Sequence, residues 1–370
     1  MLRVCVLTCW MVAVAAVAAG CAGEPGQDVD TSTTAQALAT DCNSEGPCPT
    51  NSPVIATLPF YNLYVIPNQQ DNDQHFRITG FFINGVPHTL RVIFGRISGA
   101  GPTGLVEHED LWRRHAEIRI LNTDTLKTYA LQITDVDLVD MWANSRRPQP
   151  PHKIEAYWMK WSELDSNGVP LHEYTDLCKE AELPEKSIDL NYGSSSVKPH
   201  LTFVFEGELI DAKARTIDNN IDLNWFNLGC AGHALAKMYL MGHVRAAAPL
   251  GYVTTLDERR AILKMFSADY CNSGYAFTLP GVPLQWEDHR GWFKYTGLVG
   301  DIEARWTPLG VTCLTLPRVM ANWKNEYFDK WPNGIIPEIQ ARCPGLISVN
   351  NLCQNPPTGF FGVHLVTGSL

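Results

Sequence analysis

Cys230, His289 and Asp301 follow one another in the chain order cysteine, histidine, aspartate, which acyl transfer through a thiolate can use. Cys230 opens "CAGHALAKMYLMGH" (230–243), which reads as the start of a helix, where the helix dipole lowers a thiol pKa. The contexts of its two partners, "WEDHRGW" and "VGDIEA", add no signature. The competing fate of Cys230 is oxidation. If helices over 231–242 and 256–270 run antiparallel, Cys230 lies beside Cys271 of "SADYCNSGYAFTLPG" (267–281), and a disulfide leaves no nucleophile. Cys271 and Asp269 fall at a helix C-terminus, whose dipole disfavours thiolate and carboxylate alike, and no cation is adjacent in sequence. The reading for this stretch is therefore architectural. Asp269 accepts hydrogen bonds from the turn at 272–274, Tyr270 packs, and Cys271 closes on Cys230.

Three further patterns have chemical readings. "GAGPTG" (99–104) has the G-x-G-x-x-G spacing of a dinucleotide site, but the strand before it carries Arg91 and Arg96, and Pro102 removes a donor that pyrophosphate needs. A β-hairpin loop is the expectation, with no cofactor. "EHEDLWRRH" (107–115) gathers His108, Glu109, Asp110 and His115, yet the two histidines are seven apart rather than the i,i+4 of a zinc helix, so no metal is expected. Ten tryptophans outside the N-terminal apolar run, among them Trp158, Trp161, Trp286, Trp292, Trp306, Trp323 and Trp331, keep a glycan-binding surface open. Trp158 and Trp161 would point to opposite faces of one strand, which weakens a platform built from that pair.

Charge and targeting signals narrow the setting. The formal charge is −10 with no Lys/Arg run, which makes nucleic acid and anionic lipid surfaces poor partners by electrostatics, so no nucleic acid is expected. Arg3 followed by the apolar run 4–19 reads as a signal peptide over 1–20, ending at Ala18-Ala19-Gly20-Cys21. That junction resembles a lipobox, so Cys21 is the expected lipidation site, and Ala22 supplies no inner-membrane retention signal. Residues 21–52 are a Gly/Pro/Ser/Thr-rich tether. Removing Cys5, Cys9 and Cys21 from the eleven cysteines leaves eight: Cys42, Cys48, Cys178, Cys230, Cys271, Cys313, Cys343 and Cys353. An even number in an exported chain implies disulfides, with a local Cys42–Cys48 loop over Gly46-Pro47 and open partners for Cys178, Cys313, Cys343 and Cys353.

The elements that must position these groups change character along the chain. Residues 53–165 read as an antiparallel β-rich domain, with Asn84-Gly85 as a hairpin turn and strands at 116–121, 128–134 and 154–161. From 166 to 370 the pattern is α+β. A strand is expected at 201–209, and a helix starts near Leu256 behind the capping box Thr255-x-x-Glu258. Its core face is Ala261, Ile262, Met265 and Phe266.

The series "LAKM", "SADYCNSG", "EARWTPLGVTCL" with "PR", and "ARCPG", with a weaker echo in "DSNGVPLHEYTDLC" (165–178), resembles the ADYC domain family of bacterial exported proteins over about 170–345. The resemblance brings no activity. It implies cysteines where this chain has Met238 and Ile262, and 238/262 falls in the antiparallel register that would pair 230 with 271. The expected fold is thus α+β, a β-rich part followed by a disulfide-stapled domain with a helix hairpin. The expected function is that of an exported lipoprotein of the outer membrane, periplasmic or at the cell surface. It would be a non-catalytic binding or structural protein of the cell envelope with a protein or glycan partner. The alternatives are a peptide or cell-wall cysteine hydrolase using Cys230 and His289, and a glycan-binding module.

Overall fold

The computed structural model describes residues 53–142 (except 57 and 103), 152–178, 198–278 (except 199, 212–215 and 221), 285–288, 302–321, 331–346 (except 345), 353 and 365–368. The expected signal peptide, Cys21, the tether, the Cys42–Cys48 loop, His289, Asp301, Trp292 and Trp323 lie outside the described residues.

Among the described residues the main regular structure is antiparallel sheet. A short hairpin of β1 (Val54–Ile55) and β2 (Leu58–Pro59) precedes β3 (Asn62–Tyr64). Then come β4 (Phe76–Ile83), β5 (Val86–Ile93), β6 (Arg96–Gly101), β7 (Gly104–Glu107) and a one-turn helix α1 (Glu109–Arg113). β8 (Glu117–Asn122), β9 (Lys127–Asp140), β10 (Lys153–Leu164) and β11 (Thr175–Asp176) follow. β12 (Leu201–Glu206), a small pair β13 (Ile210–Asp211) and β14 (Thr216–Ile217), and β15 (Trp225–Cys230) lead into helices α2 (Ala234–Leu240) and α3 (Leu256–Ser267). β16 (Gln285–Asp288), β17 (Ile302–Thr307), β18 (Gly310–Leu314), α4 (Arg318–Ala321), α5 (Ile335–Arg342) and β19 (Leu365–Gly368) complete the described elements.

The large sheet has the order β3-β15-β12-β10-β9-β8-β4-β5-β6-β7, with β11 on β10, and a second sheet runs β16-β19-β17-β18. Tyr157 of β10 pairs with Thr202 of β12, so the sheet continues straight across residue 165. The boundary expected at 165/166 is therefore not a break in the fold. The runs at 201–206 and 225–230 are interior strands of that sheet: β12 lies between β10 and β15, and β15 between β12 and β3.

Every residue of β12 and β15 is buried, because these strands are covered on both faces. Val204, Phe226, Leu228, Tyr157 and Met159 face one core, with Ile78, Phe81, Ile97 and Ile118. Phe203, Phe205 and Ala156 face another, filled by α2 and α3 through Leu235, Met238, Ile262 and Met265. That two-sided burial explains the unbroken apolar run in "LTFVF", while β5 alternates exposed and buried as a one-sided strand does.

The hairpin expected at Asn84-Gly85 forms, with Ile83 opposite Val86 and φ of 51° and 75° at the two turn residues. "GAGPTG" is also a hairpin, Gly101 pairing with Gly104. The helix behind Thr255 begins at Leu256 with both arms of its capping box in place. α2 is shorter than expected. Its N-cap is His233, and Cys230 belongs to the end of β15.

Where β5 turns into β6, the sheet is tied across itself. Glu206, at the end of β12 and 7 % exposed, accepts the backbone N–H groups of Phe94 and Gly95 at 2.8 and 3.0 Å. Tyr239 of α2 donates to Phe94 O at 3.2 Å, and the Ile97 N–H donates to the Tyr157 hydroxyl at 2.7 Å. A Cβ on Gly95 would lie 1.8 Å from Tyr239 Oη, and its φ is +71°. Gly95→Ala is expected to cost at least about 2 kcal/mol in chemical unfolding. Gly85→Ala, with similar φ (+75°) and nothing within 4 Å of the added Cβ, is expected to cost only about 1 kcal/mol. Equal costs at the two sites would mean that the Tyr239 contact is not maintained in solution.

Candidate functional site

The stretch 267–281 is the densest chemical constellation. α3 ends at Ser267, and Ala268 turns the chain with φ 51°. Asp269, fully buried, accepts Lys264 Nζ at 2.7 Å and the backbone N–H groups of Ser273 and Gly274 at 2.8 and 3.1 Å. Its role as acceptor for the 272–274 turn is thus as expected. Lys264, also fully buried, is the cation that adjacency in sequence did not reveal. Tyr270 is flanked by Phe277 and Trp306, with ring centroids 5.5 and 5.4 Å away. It donates to Glu303 Oε1 at 2.6 Å, and the same oxygen accepts the backbone N–H and Nε of Arg318 at 3.0 and 2.9 Å. Burial, then the Glu303 charge, holds the Tyr270 phenol well above its usual pKa. It stays a neutral hydrogen-bond donor to Glu303.

The cysteines pair differently from expectation. Cys178 is bonded to Cys230, Cys271 to Cys343, and Cys313 to Cys353, so the Cys230–Cys271 bridge is corrected. The reason is topological. Cys230 is opposite Thr202 at the end of β15, and the Cys178 sulfur lies 3.1 Å from the Thr202 hydroxyl. Cys271 has left α3 by four residues and meets the end of α5 instead. Met238 and Ile262 nevertheless share one core, and α2 touches α3. With its sulfur in a disulfide, Cys230 is no thiolate, so the expected nucleophile of the hydrolase reading is spent. Oxidised pairs in this number belong to an exported chain. No helix among the described residues is long and apolar enough to cross a membrane.

A second constellation was missed from sequence. Glu155 of β10, 1 % exposed, accepts the Tyr157 hydroxyl at 2.6 Å, bonds to His108 Nδ1, and lies 3.7 Å from Arg96 Nε. A carboxylate on Nδ1 fixes the imidazole tautomer and turns Nε2 outward. The His108 side chain is half exposed, and its backbone, φ 54° and ψ −133°, lies in a region that glycine alone occupies cheaply. Among the described residues no hydroxyl or thiol bonds to Nε2, and Glu107 is 3.9 Å away. The pair resembles the base-orienting half of an acyl-transfer site, with no nucleophile beside it among the described residues. A charged residue inside the strand "IEAYWMKW" was the available signal.

No group of three or more metal-ligating side chains forms among the described residues, His108, Glu109, Asp110 and His115 included. Trp158 and Trp161 pack against opposite cores. Trp158 donates to Asp176 at 2.6 Å, and Trp306 and Trp331 are buried. Among the tryptophans whose side chains are described, Trp112 alone is exposed, at 37 %.

Glu208 links the loop after β12 to α3 through an ion pair with Arg259. Burial outweighs that partner and pushes Glu208 up to about 7. His233 is pushed down to about 3 by burial, with the Lys237 charge adding to it.

Comparison with known proteins gives one match, the ADYC domain, over residues 112–320. That span begins some strands earlier than the expected 170 and takes in β8, β9 and β10, in keeping with a sheet that ignores the 165/166 boundary. No curated protein and no solved structure matches.

Tyr270→Phe leaves Glu303 short of a donor and is expected to cost about 1–3 kcal/mol in unfolding free energy; no change would remove that hydrogen bond from the core. The two titrating groups act oppositely. Glu208, raised above its ordinary 4.5, contributes stability that is complete below 4.5 and lost as pH rises through about 7. His233, depressed below 6.5, contributes stability present above 6.5 and lost as pH falls through about 3. Glu208→Gln removes the first and keeps the second. Between about pH 8 and about pH 5 its denaturation midpoint is therefore expected to fall relative to wild type. Parallel profiles would show that Glu208 titrates normally.

Proposed function

The chain belongs to the ADYC domain family, and we propose that it is an exported envelope protein that works by binding or structural support rather than by catalysis. In this reading the body is held at the outer membrane by a lipid on Cys21, through the tether at 21–52. The observation that carries it is the commitment of the motif. Asp269 is neutralised by Lys264, Tyr270 is saturated by Glu303 inside an aromatic stack, and Cys271 is bridged to Cys343. A site kept for chemistry leaves a reactive group facing a substrate. Here Asp269 ties the end of α3 to the turn that follows it, Tyr270 fastens that exit to β17, and Cys271 fastens it to the end of α5.

The disulfide at Cys230 supports the same reading against a cysteine hydrolase. A glycan platform finds little support in the described tryptophans, because all but Trp112 are packed or bonded internally and one exposed ring does not make a platform.

Treating the native protein with an alkylating thiol probe in the absence of reductant is expected to leave Cys230 unmodified. Stoichiometric labelling there would overturn the non-catalytic reading. For the anchor, the mature N-terminus is expected to carry a diacylglyceryl group on Cys21, read by mass spectrometry. Cys21→Ser is expected to release the protein from the membrane fraction. Retention without that modification would remove the lipoprotein reading.

A further inference from the structure

Two turns of this chain have the same backbone and opposite chemistry. Asn84-Gly85 and Phe94-Gly95 each join two strands through two residues, with φ of 51° and 75° in the first and 53° and 71° in the second. Positive φ at both positions is the type I′ signature, for which Asn-Gly is the low-energy choice and a bulky aromatic at the first position is an outlier. At 94 the chain nevertheless carries Phe, and leaves it 53 % exposed beside Ile93 at 48 %. The strained geometry is held by Glu206 on both turn N–H groups and by Tyr239 on the Phe94 carbonyl. The turn is thus built to present an aromatic at a fixed place, since the fold itself would be served better by Asn.

The surroundings indicate what it meets. Ile93 is directly opposite Arg96, so both emerge on one face of the hairpin, and Arg91 lies two residues along on the same face. Arg96 is 54 % exposed in its side chain, although its Nε also lies 3.7 Å from the buried Glu155, and Arg91 has no acidic partner within ion-pair distance among the described residues. In a chain of net charge −10, this is a local cationic collar around an apolar tip. Charge alone would not bring such a chain to an anionic surface. An apolar wedge rimmed by arginines fits the boundary between acyl chains and phosphate headgroups. We propose that the Ile93–Phe94 tip inserts at the interface of a bilayer containing anionic phospholipid, with Arg91 and Arg96 on the phosphates. It is a second membrane contact, independent of the lipid on Cys21.

The test is partition of the full chain onto vesicles of equal parts phosphatidylglycerol and phosphatidylcholine, wild type against Phe94→Asn. Both carry the same N-terminus, so its contribution cancels. Phe94→Asn suits the turn and is expected to keep or raise the melting temperature while weakening partition about tenfold or more. Ile93→Thr, a β-former at an exposed strand position, is a second variant and is expected to weaken partition in the same direction. Arg91→Gln is expected to flatten the salt dependence. Equal partition of folded wild type and both tip variants, or no partition of wild type, would overturn the proposal. The Cys21 anchor is read separately, by mass, so either contact can fail without the other.

Discussion

A buried carboxylate that accepts backbone hydrogens holds one of the two cores closed. Glu206 ends β12, and its two oxygens take the N–H groups at the β5–β6 turn. Those donors have no strand partner there, and a buried donor left unmatched costs as much as a lost hydrogen bond. With them matched, β5 and β6 lie against the centre of the sheet, and Leu90, Val92, Ile97 and Val106 enter the core with Tyr157, Val204 and Phe226. Gly95 belongs to the same constraint, because Tyr239 occupies the space a side chain would need.

The motif region solves a similar problem where α3 ends. α3 stops at Ser267, and the chain must leave it through buried ground. Lys264 and Asp269 neutralise each other at the exit, and the Asp269 carboxylate also receives the turn that follows. Tyr270 and Arg318 then share one Glu303 oxygen, which joins α3, β17 and α4. A buried ion pair of this kind contributes little net stability but is costly to break, so it specifies geometry more than it adds energy. Three disulfides fasten the remaining connections, and none of them needs a reactive thiol.

Local sequence chemistry was sufficient for the elements whose signals are local. Asn84-Gly85 forces a hairpin because both residues tolerate positive φ. Thr255 and Glu258 start a helix because they satisfy its first N–H groups themselves. Trp158 and Trp161 diverge because a strand alternates. Glu155 and Glu206 were not read as site residues, although each is a buried charge in a largely apolar strand, because their partners His108 and Phe94 lie 47 and 112 residues away.

By itself the sequence determined the secondary structure around its turns and caps and the motifs of the family, since these follow from neighbours within a few residues, and it called for oxidation of the cysteines from Cys178 to Cys353. Only the tertiary structure decided which cysteines meet. Disulfide partners must bring their Cα atoms within about 4.4–6.8 Å, and that distance is set by strand order rather than by spacing. Cys230 ends a strand beside β12 and finds Cys178 at 5.4 Å; Cys271 leaves its helix toward α5 and finds Cys343 at 5.7 Å. The same long-range pairing carries the sheet through residue 165, where composition alone suggested that one domain ended and another began.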